Sequence, residues 1–210
     1  MLEQQFVIVP LSIFIFLTSS CLMAGDAKKC PTNIKYLKEV SDSMLEGSWY
    51  MQSRYIPQHP VDYRCHKTDI TPGTHQLNIK TFQINDNDES KQVTNEKLIF
   101  LPDGQFYTSF DDKHVYVSSA SSSSSAGGLD IDWDKITHKI ISLDCEKLII
   151  YSCQDLPNDK HAKMLWVYTT CSHPSEEVIR EYKKVAETYG FNVNLLESIS
   201  HEPCFRYVED

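Results

Sequence analysis

Between Trp49 and Thr170 the chain is a succession of short β-rich runs broken by turn residues, and that rhythm constrains its fold more than any other feature. The first run, 47–57, alternates around Trp49, Met51, Ser53 and Tyr55. Residues 65–72 follow, then the turn Thr71-Pro72-Gly73-Thr74 and the run 75–86. The polar loop Asn85-Asp86-Asn87-Asp88 leads to 91–101, and Pro102-Asp103-Gly104 is a tight hairpin signal before 105–119. Strands resume at 134–145, 147–156 and 161–170. These runs predict an all-β fold, an eight-stranded antiparallel up-and-down barrel, close to the size that leaves room for one ligand.

Two segments break the rhythm. Residues 118–128 are dominated by serine and cannot bury apolar surface, so a flexible loop is expected there between strands five and six. It reads first as an inert surface loop, with a lid over a cavity mouth as the alternative. After the last strand the period changes. Val178, Tyr182, Val185, Ala186 and Tyr189 fall on one face of a helix that Ser175 can cap, Glu176 and Glu177 suit at its N-terminus, and Gly190 can end. A single C-terminal α-helix of this kind is expected to pack on the outside of the barrel, a partner-binding helix being the rival.

The apolar run 6–17 is too short to span a membrane and is followed by Ser19, Ser20 and Ala24, so residues 1–24 read as a secretory signal peptide and 25–210 as one domain. An uncleaved anchor, or a lipid anchor at Cys21, are the alternatives. Loss of the leader turns seven cysteines into six: Cys30, Cys65, Cys145, Cys153, Cys171 and Cys204. An even set in an exported chain implies disulfides, and six cysteines allow fifteen pairings. Neither C-x-x-C nor H-E-x-x-H occurs, so no metal site is expected. Removing Glu3 with the leader leaves 20 basic against 28 acidic side chains, a net charge of −8. That balance argues against non-specific nucleic-acid or anionic-membrane binding.

Gly47-Ser48-Trp49-Tyr50, with Cys30-Pro31 upstream, resembles the opening of a lipocalin, and within that family the apolipoprotein D-like and insect bilin-binding members. The resemblance extends roughly from residue 30 to residue 204. The family's G-x-W is intact as Gly47 and Trp49. Its T-D-Y pattern reads Leu143-Asp144-Cys145, keeping only the aspartate, and Thr170 stands where an arginine follows the strand-eight tryptophan, here Trp166. The resemblance implies that Gly47, Trp49 and Asp144 build the closed base of the barrel. It also implies Cys30–Cys153 and Cys65–Cys204 disulfides. At the two departures, a Cys145–Cys171 bond is expected to replace the missing tyrosine and arginine contacts.

Side chains alternate along a strand, so these pairings orient their neighbours. Cys65 outward turns His66, Thr68 and Ile70 inward, and Cys153 outward turns Leu148, Ile150 and Ser152 inward. Trp49 inward carries Met51, Ser53 and Tyr55; Trp166 inward carries Met164 and Tyr168. The middle strands add Leu77, Ile79, Phe106, Phe110, His138 and Ile140, although a bulge would flip any set. The expected ligand contacts are Met51, Tyr55, His66, Ile70, Leu77, Ile79, Phe106, Phe110, His138, Ile140, Ile150, Trp166 and Tyr168.

These residues lead to a secreted, extracellular binding or transport protein for a small hydrophobic molecule. By resemblance the ligand would be a bilin, carotenoid, retinoid, sterol or fatty acid, held non-covalently and without a further cofactor. The alternative is an extracellular lipocalin that acts through protein binding or by sequestering a mediator such as an amine. An amine binder should place carboxylates inside the barrel, and the inward sets contain none. An enzyme is not expected: no G-x-S-x-G is present, and the adjacent Ser172 and His173 read as capping and surface residues. The sequence specifies neither a receptor nor a homodimer.

Overall fold

The computed structural model describes residues 29–74, 76–110, 131–133 and 136–204. The signal-peptide segment, the serine-rich 118–128 loop and the Phe110 side chain lie outside the described residues.

Eight antiparallel strands close on themselves. They are β1 (Gly47–Tyr55), β2 (Tyr63–Pro72), β3 (Leu77–Asn85), β4 (Lys91–Phe100), β5 (Phe106–Phe110), β6 (His138–Leu143), β7 (Lys147–Leu156) and β8 (Lys160–Thr169). Neighbours in sequence pair throughout, and β1 pairs with both β8 and β2, which closes the barrel. The β1–β2 ladder covers only Gly47 to Tyr50. Above it the gap is filled by a two-residue strand, β9 (Glu197–Ser198), which pairs with Ser53 and Arg54. On its other side Cys65 N donates to Ser200 O at 2.8 Å. The tail is therefore a wedge in the barrel wall, and the Cys65–Cys204 disulfide fastens it there.

The closed end is built from the N-terminal arm, a four-residue helical turn α1 (Asp42–Leu45) and Trp49. Trp49 is 3 % exposed and packs among Leu45, Ile70, Leu77, Leu98, Phe106, Ile140 and Leu148. Its indole Nε1 donates to Leu45 O at 2.8 Å, so the buried N–H is satisfied by the backbone beneath it. The arm is tied by the Cys30–Cys153 disulfide and by Leu37 N donating to Ile140 O at 2.8 Å. It crosses the β4–β5 turn at Gly104, whose φ is +86° and whose missing Cβ would stand 2.4 Å from Lys38 O. Only glycine meets both demands.

The outer helix α2 (Glu176–Thr188) lies over β7 and β8. Ser175 Oγ accepts from Val178 N at 3.4 Å, and Gly190 takes φ +76° just past the end. Tyr182 and Ala186 pack on Ile149, Tyr151, Leu165 and Val167, the outward faces of those strands.

The expected Cys145–Cys171 bond is not formed; both cysteines are free and exposed. The end of the β7–β8 hairpin is held without it. Thr170 N donates to Glu146 O at 3.1 Å and Thr170 Oγ1 to Cys145 O at 3.2 Å. Nearby, Lys147 Nζ reaches Asp144 Oδ2 at 2.6 Å and Glu181 Oε2 at 2.7 Å, linking the β6–β7 turn to α2. Asp144 also accepts from the amides of Glu146 and Lys147, so the one surviving residue of the T-D-Y pattern organises its turn.

Candidate functional site

Alternation puts one row of each strand inside the barrel, and cross-strand register identifies those rows. Ile70 faces Ile79, Leu77 faces Leu98, Ile79 faces Glu96, Phe106 faces His138 and Ile150 faces Trp166. At the floor these side chains are sealed. Higher up, Ile79, Thr81, Glu96, Thr108, His138, Ile150, Trp166 and Tyr168 all keep water-accessible surface. The outward residues of the same strands do the opposite: Ile149, Leu165 and Val167 are 0 % exposed under α2. The barrel is thus closed on its helix side and leaves space within its walls.

That space has an apolar wall and a polar wall. Across β5, β6 and β8, His138 stacks on Phe106 with centroids 5.1 Å apart and meets Trp166 edge-on at 5.4 Å. His138 Nδ1 and Ser152 Oγ share a hydrogen bond of 2.7 Å. Across β2, β3 and β4 runs a side-chain chain: His66 Nδ1 donates to Gln83 Oε1 at 3.0 Å, and Gln83 Nε2 donates to Gln92 Oε1 at 2.9 Å. Thr68 lies 3.4 Å from His66 Nε2 and 3.3 Å from Thr81 Oγ1. Burial pushes both imidazoles down to about 4, so each is neutral near pH 7. Glu96 is shifted the other way: burial raises its carboxyl above the usual range, against hydrogen bonds from Thr94 and Thr108.

Near the mouth, Arg54 lies opposite Trp166 on the inner side of β1, 4.9 Å above the Tyr63 ring. Its Nη2 donates to His59 O at 3.1 Å and Pro60 O at 2.8 Å, which anchors the β1–β2 loop. Glu197 Oε2 on the wedge stands 3.8 Å from Arg54 Nε. His59 and Trp133 meet edge-on above, with Ile56, Ile131 and Ile136 clustered beside them.

The structure brings most of the expected contact residues together. Met51, His66, Ile70, Leu77, Ile79, Phe106, His138, Ile140, Ile150, Trp166 and Tyr168 share the interior clusters and ring contacts. Phe110 pairs through its backbone with Glu96. Tyr55 is a correction. The register of β1 shifts between Met51 and Ser53, so the residues beyond the bulge change face. Tyr55 consequently sits in the outer cluster under α2, its ring 5.7 Å from Phe191, and Arg54 takes the inward place.

The polar wall of Thr81, Gln83, Gln92, Thr94 and Glu96 was missed by pattern reading, and so the expectation of no inward carboxylate fails. The signal was present: Leu98 is the apolar residue entering the Pro102-Asp103-Gly104 hairpin, and two steps back along its face is Glu96. Arg54 was recoverable only by knowing the bulge.

Among the described residues no nucleophile constellation assembles in this space. Ser172 Oγ and His173 Nδ1 lie 3.0 Å apart, and His173 Nε2 is 3.3 Å from Glu202 Oε1. However, the histidine and glutamate side chains are 51 % and 78 % exposed, with water free to screen and compete. Among the described residues no cluster of His, Cys, Asp and Glu could hold a metal ion. Among them, too, no helix is long and apolar enough to cross a membrane.

No protein-family model matches the chain, and no curated protein matches its sequence. Solved structures do match in shape. Insecticyanin from the tobacco hornworm Manduca sexta superposes with a TM-score of 0.63 at 12 % identity, covering 83 % of this chain and 87 % of that one. The cockroach allergen Per a 4 gives 0.61 at 11 % identity, covering 86 % and 99 %. Lobster apocrustacyanin A1 gives 0.58 at 13 % identity, covering 75 % and 77 %. With its closed eight-stranded up-and-down barrel, tryptophan floor and single outer helix, this chain has the lipocalin fold.

Proposed function

We propose that the protein is a secreted carrier that holds a small, largely hydrophobic molecule inside the barrel. The observation that carries this reading is on the inner faces of β7 and β8, where Ile150, Trp166 and Tyr168 retain accessible surface while outward Ile149, Leu165 and Val167 are sealed under α2. Apolar side chains that face an enclosed space gain by covering an apolar guest, and the scattered hydroxyls and imidazoles orient it. The two disulfides and the apolar leader segment support an extracellular setting. The proposed ligand contacts are the inner-face residues above the sealed floor, among them Ile79, His138, Ile150, Trp166 and Tyr168, without Tyr55.

Two measurements test the reading. Native protein is extracted with organic solvent and the extract analysed by absorption and mass spectrometry, with a bound pigment or lipid expected. Separately, tryptophan fluorescence is titrated with retinol, biliverdin and a fatty acid. Quenching by at least one, weakened about tenfold or more by Trp166→Ala, is the expected result. An empty extract together with no quenching by any probe would end the carrier reading.

A further inference from the structure

One panel of the barrel wall is held by much less than a strand ladder. Toward β1 the tail is paired at Ser53–Ser198 and Arg54–Glu197, Ile199 N donates to Gln52 O at 2.9 Å, and His201 Nε2 lies 2.8 Å from Met51 O. Toward β2 it is held by the bond from Cys65 N to Ser200 O and by the Cys65–Cys204 disulfide. The β7–β8 ladder, by contrast, runs without a break from Lys147–Thr169 to Leu156–Lys160. Residues 197–203 thus form a strap between two fixed points. Val193 and Leu196 pack in the α2 cluster at one end, and Cys204 is covalently bound at the other.

Behind the strap lies the chamber. Ile199 is 5 % exposed and packs on Met51 and Tyr63, and Trp166 and Tyr168 of the proposed ligand wall lean on the same cluster. The seam with β1 is imperfectly closed. Arg54 Nε and Glu197 Oε2 are both buried there, 3.8 Å apart, and among the described residues neither has a hydrogen-bond partner. Unpaired buried polar atoms penalise the closed state, and parting the seam returns both to water. This seam is therefore easier to part than two strands joined by a full ladder. The mouth, in turn, is covered by His59, Trp133, Ile56, Ile131 and Ile136, with Trp166 packed beneath them. Arg54 Nη2 pins the loop that carries His59.

We propose that the strap is a side gate of the chamber, hinged on the Cys65–Cys204 disulfide and latched by the Arg54–Glu197 pair, and that guests enter and leave along the β1–β9 seam. Opening breaks the pairing with β1 and lifts Ile199 from its seat on Met51. The bond from Cys65 N to Ser200 O stays with the hinge. A gate of this kind changes the rates of entry and exit by the same factor and leaves the affinity alone, because the closed complex is unaltered. This inference rests on the carrier reading above and adds the route by which the guest reaches its site.

The test follows probe exchange by stopped-flow tryptophan quenching, using each of retinol, biliverdin and oleate that binds the intact protein. Gln52 and Ile199 form a hydrogen-bonded pair, so Ser53 and Ser198 beside them are a non-bonded pair, where Cα atoms stand about 4.5 Å apart, within disulfide reach. Ser53→Cys/Ser198→Cys locks the strap to β1; the cross-link is verified by peptide mapping, and Ser53→Cys alone is the unlocked control. Association and dissociation are both expected to slow by at least about tenfold in the locked protein, with Kd within about twofold of the control. Glu197→Gln loosens the latch without a cross-link and is expected to speed both by about threefold or more, again with Kd nearly constant. A locked protein that exchanges the probe as fast as its control overturns the gate, and so do unchanged rates in Glu197→Gln. In both cases binding by the wild type leaves the carrier reading standing. If none of the three probes binds, both readings fall.

Discussion

At the scale of the residue, the interior is governed by what burial does to polar groups. His66 and His138 are held neutral to about 4, against 6.5 for a free imidazole. The unfolded chain therefore takes up protons that the folded chain refuses as pH falls through that interval. Stability from these two groups is complete above the unfolded value and is lost progressively as pH drops toward the folded one, by up to about 3 kcal/mol each. The urea midpoint should fall between roughly pH 7 and pH 4.5, and a His66→Gln/His138→Gln double variant should flatten that slope. An unchanged slope in the double variant would show that the histidines do not carry it. Tyr151 offers a second residue-scale check. Among the described residues its buried hydroxyl has no hydrogen-bond partner, and burial pushes it up to about 12. Tyr151→Phe removes the unsatisfied oxygen while keeping the ring, so it should leave stability unchanged or raise it by about 1 kcal/mol in urea unfolding.

At the scale of the element, two of the decisive features are irregularities within regular strands. The β1 bulge after Met51 sends Tyr55 outward and Arg54 inward, and β2 shifts register between Arg64 and Lys67, where Cys65 adopts φ +59°. The first irregularity makes room for Phe191 and α2, and the second aims Cys65 at Cys204. Helix α2 seals the outer face but does not touch the chamber. Tyr182→Ala should therefore cost about 3 kcal/mol through the cavity it leaves against Leu165 and Val167. Retinol quenching, measured on the folded fraction, should hardly change. A large loss of affinity would mean that the helix shapes the site. The helix was readable from its period and caps because those signals are local. The faces of β1 were not, because a single extra residue inverts the alternation.

At the scale of the whole molecule, closure depends on the last described residues of the chain. The β9 wedge completes a wall that β1 and β2 leave open above Tyr50, and Cys65–Cys204 pins it across 139 residues of sequence. In the chain-entropy account a cross-link over so long a loop contributes about 4–5 kcal/mol at most. A Cys65→Ala/Cys204→Ala variant should lose stability of that order. It should also show faster hydrogen exchange at the amides of Ile199 and Cys65, which donate to Gln52 O and Ser200 O across the wedge. Protection retained at both amides would mean that pairing alone holds the wedge.

The order and number of strands and the outer helix with its Ser175 cap follow from the sequence because each is set by contacts within a few residues: alternation, turn chemistry and a 3.6-residue stripe. The place of Trp49 at the floor entered through resemblance, and its partners there come from strands far away in sequence. The pairing of Cys30 with Cys153 and of Cys65 with Cys204 entered through resemblance, and the free state of Cys145 and Cys171 escaped it. Which side chains face the chamber depends on the assembled barrel. Register and bulges exchange Tyr55 for Arg54 and bring Glu96 inside among Thr94, Thr108 and Ile79. Those choices depend on how strands far apart in sequence line up, and no local pattern encodes that alignment.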